Sequence, residues 1–288
     1  MDIPHPFPGM SEWDAYAPFY DWENAQTLGR RDLAFWRRLA EQAGGLVLEL
    51  GTGTGRVALP LIRAGVPLVG VDRSAGMLDR AAKRVRRLRA RRDLGDAKRS
   101  RRAAFTRRGV PFAIADVGHL PFRAGSCRLV VAPYGLVQSI LSDRALDRTL
   151  RGVAHVLAPG GRFVVDLVPD LGRWPAYTNR VTLKGRLGRH GEPVRLVESV
   201  EQDPARGITR FDQTFVVGRG RAGRGHRFSL TFRSLDVPAI CRRLVNAGFR
   251  VEAVLGDYDG RGWDERADVW VVVATLDEKS RRGTATTS

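Results

Sequence analysis

The apolar positions change their period along the chain. Leu46-Val47-Leu48-Glu49-Leu50 is an apolar run interrupted by one acid, as a strand buried on both faces requires. Gly51-Thr52-Gly53-Thr54-Gly55-Arg56 then carries it into an apolar helix over 57–64. Ahead of this strand, residues 13–43 hold Trp13, Tyr16, Phe19, Tyr20 and Trp22, followed by an amphipathic pattern at Leu28, Leu33, Phe35, Trp36, Leu39 and Ala40. That reads as a helical preamble, closed by Gly44-Gly45. Behind it, strands are predicted at 66–71, 111–116, 129–135 and 162–168. One intervening helix buries Met77, Ala81, Val85 and Leu88 with Ser74 as its cap, and another opens at Asp143 and buries Leu146, Leu150, Val153 and Leu157. Strands alternating with helices predict a parallel sheet covered on both faces.

Between Thr178 and Arg233 the period becomes two. Four strands are predicted, near 180–187, 194–201, 209–217 and 227–233, separated by glycine-rich turns. They make an antiparallel meander inserted before a last helix at 236–247 and two final strands at 249–255 and 269–276. The expected plan is one domain over 46–276 after a preamble at 1–45. It carries a basic insertion at about 86–109 and the β insertion at about 178–233, and a polar tail at 277–288 is expected to be disordered.

Chemistry concentrates in the glycine loop. The dinucleotide fingerprint needs its third glycine three positions after the second, whereas Gly53 and Gly55 are two apart. A phosphate-binding P-loop would end in Gly-Lys-Ser/Thr, and no lysine follows here. Glu49, two residues before Gly51, would repel a pyrophosphate and attract a cation. The strand at 66–71 ends at Asp72, 21 residues past Gly51, placed to accept two ribose hydroxyls. NAD uses an acid at the same position, so Asp72 alone does not separate the two ligands.

The loop resembles motif I of the class I S-adenosylmethionine-dependent methyltransferases, Glu/Asp-x-Gly-x-Gly-x-Gly. Asp116 at the end of the third strand and Leu157-Ala158-Pro159-Gly160-Gly161 before the fifth extend the resemblance over roughly residues 12–276. It implies a Rossmann-like, mostly parallel seven-stranded sheet in the order 3-2-1-4-5-7-6, and S-adenosyl-L-methionine as cofactor. In that reading Glu49, Gly51, Thr52, Gly53 and Gly55 form the near wall. Asp72, Arg73 and Met77 hold the ribose side, Asp116 accepts from the adenine amino group, and Val117 packs on the ring. Tyr20 and Tyr134 complete the cofactor set. Tyr16 to Asp21 is similar to the aromatic lid of many small-molecule members, so Tyr16 is a candidate for the acceptor side. Gln138 and Tyr258 are further candidates, with Gln138 alternatively capping a turn. Such an insertion in related enzymes roofs the active site or makes a subunit interface, which allows a homodimer. His119 lies in the loop after Asp116, where histidines more often hold the loop than act as bases. No His-Asp pair is identifiable, and methyl transfer to an amine needs positioning more than a base.

Charge complicates the acceptor. The 288 residues carry 48 basic and 31 acidic side chains, a formal net +17. Thirteen basic residues against two acids give segment 83–108 a net +11. This is either a solvated basic insertion or a phosphate anchor for RNA or DNA. Ala132-Pro133-Tyr134-Gly135 lacks the leading amide or acid of enzymes that methylate nucleic-acid bases, which counts against that partner. A small-molecule acceptor is therefore the leading reading. The alternatives are a nucleic-acid methyltransferase and a non-catalytic domain that only binds cofactor. Two cysteines, Cys127 and Cys241, are too few for a disulfide framework or metal cluster, and no metal is expected. With no apolar run near 18 residues and no secretory signal, a soluble cytoplasmic protein is expected.

Overall fold

The structure, a computed structural model, describes residues 10–27, 29–93, 111–169, 174–188, 190–218, 223–264 and 266–277. The expected tail beyond Asp277, most of the basic insertion and Leu28 lie outside the described residues. The chain divides into two compact units, Met1–Arg30 with Asp170–Ser234, and Arg31–Pro169 with Leu235–Ser288.

The second of these units is built on a seven-stranded sheet. Its strands are β1 (Val47–Leu50), β2 (Leu68–Asp72), β3 (Phe112–Ile114), β4 (Cys127–Ala132), β5 (Leu157–Leu167), β10 (Phe249–Leu255) and β11 (Trp270–Leu276). They run in the order β10-β11-β5-β4-β1-β2-β3, the expected 3-2-1-4-5-7-6. β1 pairs in parallel with both β2 and β4, and β11 runs antiparallel between β5 and β10. A strand enclosed this way must be apolar on both faces, and all four residues of β1 are buried. Phe35 and Trp36 of α2 (Leu33–Gln42), Leu61 and Ile62 of α3 (Ala58–Arg63) and Val85 of α4 (Ala75–Asp93) cover one face with Val47. Leu146, Leu150 and Val153 of α5 (Asp143–Val156), with Ile240 and Leu244 of α6 (Val237–Asn246), cover the other with Leu48 and Leu50. Each of these fully buried aliphatic side chains contributes about 1.5–3 kcal/mol by leaving water.

α5 opens at Asp143 as expected, capped by Ser142, whose hydroxyl accepts from the Ala145 N–H, while Asp143 in the first turn faces the positive helix end. One boundary differs from expectation for a local reason. The expected turn at Ala158 to Gly161 is absorbed into β5, which shifts register against β4 between Cys127 and Leu129. Gly160 takes φ +68°, and a Cβ on Gly161 would lie 2.8 Å from the Ala158 carbonyl oxygen, so the bulge accepts only glycines there.

The other unit holds α1 (Met10–Gln26) and a four-stranded antiparallel sheet of β6 (Tyr177–Leu187), β7 (Glu192–Asp203), β8 (Ile208–Val217) and β9 (Arg224–Arg233), in that order. This is the expected meander. The preamble, expected as one segment to residue 45, is split at residues 30 and 31. Phe19 of α1 stacks on Phe215 of β8 at 4.6 Å and Tyr16 lies 4.9 Å from Phe228 of β9, so α1 belongs with the inserted strands. α2 instead buries Phe35 and Trp36 with the seven-stranded sheet. Among the described residues no helix is long and apolar enough to cross a membrane.

Candidate functional site

The loop after β1 needs its glycines. Gly51, Gly53 and Gly55 all adopt positive φ, at +61°, +55° and +84°. A Cβ on Gly51 would also meet a Leu136 methyl at 2.7 Å, and one on Gly70 of the adjacent β2 would meet Thr52 Oγ1 at 2.2 Å. The loop is thereby drawn onto the carboxyl ends of β1 and β2, where ligands bind in this sheet class. Thr52 N–H donates to the Val71 carbonyl at 2.9 Å, and the buried Thr52 hydroxyl donates to Glu49 Oε2 at 3.3 Å.

Two acids face this loop. Asp72 accepts from the Gly53 N–H at 2.8 Å and from the Ser74 N–H at 2.9 Å. Burial pushes its carboxyl up from the ordinary value, and these two N–H groups together with Arg73 pull it back. Glu49 is 2% exposed. Burial raises its pKa to about 8, against the opposing pull of the Thr52 hydroxyl and of Arg56, with Asp72 adding to the rise. The carboxylate expected from the sequence is thus mainly protonated at neutral pH until a positive charge faces it. Asp116 lies exposed beyond β3 and accepts from the Gly118 N–H at 2.7 Å; Val117 is half-buried and His119 exposed. Arg73 is exposed on the turn into α4, and Met77 is buried behind it with its N–H donating to Ser74 Oγ. Three glycines that leave backbone close to an incoming group, with acids at the ends of three neighbouring strands, fit a ligand rich in donors and positive charge. They do not fit one carrying phosphates.

Further residues join the site that the sequence reading passed over. Asp32, fully buried just ahead of α2, accepts both terminal nitrogens of Arg56 at 2.6 and 2.7 Å and the Trp36 indole N–H at 2.9 Å. The Arg56 guanidinium lies 5.5 Å from the Tyr134 ring centre. Tyr134 and Gly135, leaving β4, both sit in the left-handed region at φ +65° and +64°, a strained conformation for the tyrosine. Asp166 at the end of β5 holds that turn, its Oδ1 accepting from the Gly135 N–H at 2.8 Å and its Oδ2 from the Tyr258 hydroxyl at 2.7 Å. Burial lifts Asp166 to about 6 and, together with Asp166 itself, pushes the Tyr258 phenol far up. A strand-ending acid at 166 was the available signal. Nothing in the spacing tied Asp32 to Arg56 or Asp166 to Tyr258, residues 24 and 92 apart.

Two acceptor-side expectations are corrected. Gln138 is 1% exposed and spends its amide on one residue, accepting from the Val168 N–H at 2.8 Å and donating to the Val168 carbonyl at 3.0 Å. It fastens the strand-end loops and offers no group to a ligand. Tyr16 is 3% exposed, buried in the α1 unit with its hydroxyl on Glu23, because its ring fills the space beside Phe215 and Phe228. Tyr20 is half-buried, edge-on to Tyr16 at 5.9 Å. Tyr258 lies between Asp166 and the α2 aromatics Phe35 and Trp36.

Sheet order, glycine loop and strand-end acids together define a Rossmann-like domain for a nucleoside cofactor without phosphates. A family model described as a methyltransferase domain matches residues 47–161. A demethylmenaquinone methyltransferase of Clavibacter sepedonicus is 32% identical over 133 residues, covering 46% of this chain and 45% of that protein. The ubiquinone/menaquinone biosynthesis C-methyltransferase UbiE of Syntrophotalea carbinolica is 31% identical over 209 residues, covering 68% and 79%. The chain spans about half the length of the first curated relatives it matches. The solved CcbJ methyltransferase from Streptomyces caelestis shares the fold over 96% of this chain and 100% of its own, with a TM-score of 0.64 at 21% identity. The chain belongs to the class I S-adenosylmethionine-dependent methyltransferases.

Proposed function

We propose that the protein transfers a methyl group from S-adenosylmethionine to a nitrogen or oxygen of a small-molecule acceptor. The observation that carries the reading is the pairing of the three-glycine loop with Asp72 and Glu49. Asp72 pins the loop through Gly53, and Glu49 waits protonated for a cationic partner. The cofactor supplies an electrophilic methyl on a positive sulfur, which becomes neutral as the methyl leaves. The protein's part is to bind, orient and exclude water. Asp72 would take the ribose hydroxyls, Asp116 the adenine edge, and Glu49 the positive end. The strained Tyr134, held through Gly135 by Asp166, would stand beside the reacting methyl. The relatives support a small acceptor, since their names describe quinone-pathway methyltransferases. Arg84, in the basic stretch for which a phosphate anchor is the alternative to a solvated insertion, donates to the Thr54 carbonyl at 3.1 Å and so has a role within the fold.

Thermal unfolding with S-adenosylmethionine, S-adenosylhomocysteine and NAD tests the cofactor, because a ligand of the native state raises its stability. Both sulfur compounds should stabilise, and stabilisation by NAD alone would overturn the reading. Methyl transfer is then assayed against panels of amines, alcohols and phenols, a demethylated quinol and bulk RNA. Label on RNA with a steep salt dependence, or on a quinol carbon, would replace the proposed acceptor class.

A further inference from the structure

The inner face of the four-stranded sheet is apolar but for two cross-strand rows, one of which, Gln202 with Thr209, is closed by the Thr209 hydroxyl donating to Gln202 Oε1 at 2.8 Å. Leu196 pairs with Phe215 and Val200 with Phe211, but between them Glu198 pairs with Gln213. Both residues of that row are nearly buried, Glu198 at 9% and Gln213 at 3% exposure. A face that only packed a helix would continue Val, Leu or Phe through this position, since buried polar groups cost free energy unless fully paired. The row is extended by α1. Gln213 Nε2 donates to Glu23 Oε1 and to Glu198 Oε2, both at 2.9 Å. The Tyr16 hydroxyl donates to Glu23 Oε2 and the Tyr177 hydroxyl to Glu198 Oε1, each at 2.5 Å.

The donor and acceptor count does not close. Four hydrogens meet four carboxylate oxygens, while Gln213 Oε1 is buried and accepts from no donor among the described residues. Turning the amide over would not help, because it would set Oε1 against two carboxylates. The cluster therefore holds two acids and a spare carbonyl, and Arg180, the cross-strand partner of Glu198, lies over the Tyr177 ring at 5.5 Å with no ion pair to either acid among the described contacts. Burial pushes the Glu23 carboxyl up and the nearby Glu198 adds to this, a cost that an arriving positive charge would lower. Aromatic rings stand beside the acids: Phe228, half-buried, lies 4.9 Å from Tyr16. Glu23 and Tyr177 are half-buried as well, so the cluster meets solvent along their edge. Carboxylates backed by ring faces are the chemistry that recognises an organic ammonium group.

We propose that Glu23, Glu198 and Gln213 form a binding site for a protonated alkyl amine. Its N–H groups are taken by the two carboxylates and Gln213 Oε1, and its carbon skeleton lies on the half-buried Phe228. Resting on the methyltransferase reading, this makes the acceptor an amine-bearing molecule.

Benzylamine and its neutral counterpart benzyl alcohol are compared by saturation-transfer NMR titration on the full chain at pH 7. Benzylamine should bind at least tenfold more tightly. Glu198→Gln and Gln213→Met should each weaken it about tenfold or more, while the thermal shift given by S-adenosylmethionine is kept. Tyr177→Phe, at a half-buried position, frees one Glu198 oxygen and should tighten benzylamine; this variant tests the site even if the buried substitutions do not fold. Equal binding of amine and alcohol, benzylamine affinity unchanged in Glu198→Gln, or weaker binding in Tyr177→Phe would overturn the proposal. Amine binding that fails while S-adenosylmethionine still stabilises the protein sinks this site alone. Loss of the cofactor shift in the unsubstituted protein sinks the methyltransferase reading instead.

Discussion

Glu49→Gln separates the stability of the sheet from the function of its central strand. The Glu49 carboxyl titrates near 8 in the folded protein and near 4.5 when the chain is unfolded. Below pH 4.5 both states are protonated and the residue costs nothing. Between 4.5 and 8 the unfolded chain releases its proton while the native state keeps it, so stability falls as pH rises; above 8 the full cost is present. A shift from 4.5 to about 8 corresponds to at most about 5 kcal/mol at 1.36 kcal/mol per unit. Glutamine keeps the shape without the titration. The variant should match the parent near pH 4.5 and unfold on the order of 10 °C higher near pH 9. Cofactor binding should move the other way. A cation facing Glu49 binds its ionised form, so parental affinity should rise with pH up to about 8, with close to one proton released per cofactor bound at pH 7. Glu49→Gln should bind weakly with no such rise. Calorimetry in buffers of different ionisation enthalpy counts the proton, and denaturation curves across pH give the stability. A variant with parental pH dependence of unfolding, or parental affinity at pH 9, would refute the reasoning.

Gly53→Val forces a β-branched residue to φ +55°, which should cost about 1–2 kcal/mol and abolish the thermal shift given by S-adenosylmethionine. Asp72→Ala, which releases the Gly53 N–H, should abolish the same shift, and retention of the shift in either variant would contradict the site. Arg56→Met leaves Asp32 charged and fully buried, so equilibrium unfolding should show a loss of about 3–5 kcal/mol, with Arg56→Lys intermediate because it cannot reproduce the two-pronged contact. Tyr258→Phe removes a donor from Asp166 and raises a carboxyl already near 6. The loss should be about 1–3 kcal/mol at pH 8 and smaller near pH 3, where the group is mainly protonated in both states.

What the sequence made legible was whatever repeats locally or sits at a strand end. Alternation at 194–217 predicts the meander, and the glycine spacing with Glu49, Asp72 and Asp116 predicts the loop and its acids, because each signal lies within a few residues of its cause. The partition of the preamble was not legible. The aromatics of α1 show no one-sided stripe, and their partners Phe215 and Phe228 lie about two hundred residues on. Gln138 illustrates the same limit, since a polar residue in a loop looks available until its partner, Val168, is brought beside it by β5. Asp166 and Arg56 stood in view as an acid at a strand end and a base after a glycine loop. Their partners Tyr258 and Asp32 come from folding alone.

The split of the α1 unit between residues 1–30 and 170–234 has a consequence for synthesis. Chains emerge from the ribosome amino end first, yet Phe19 and Tyr16 cannot reach β8 and β9 until residue 233 has been made. For some 200 residues of elongation, at roughly 5–20 residues per second, the aromatic face of α1 has no native partner. During those 10 to 40 seconds, binding by a chaperone at this first helix would control the yield of folded protein.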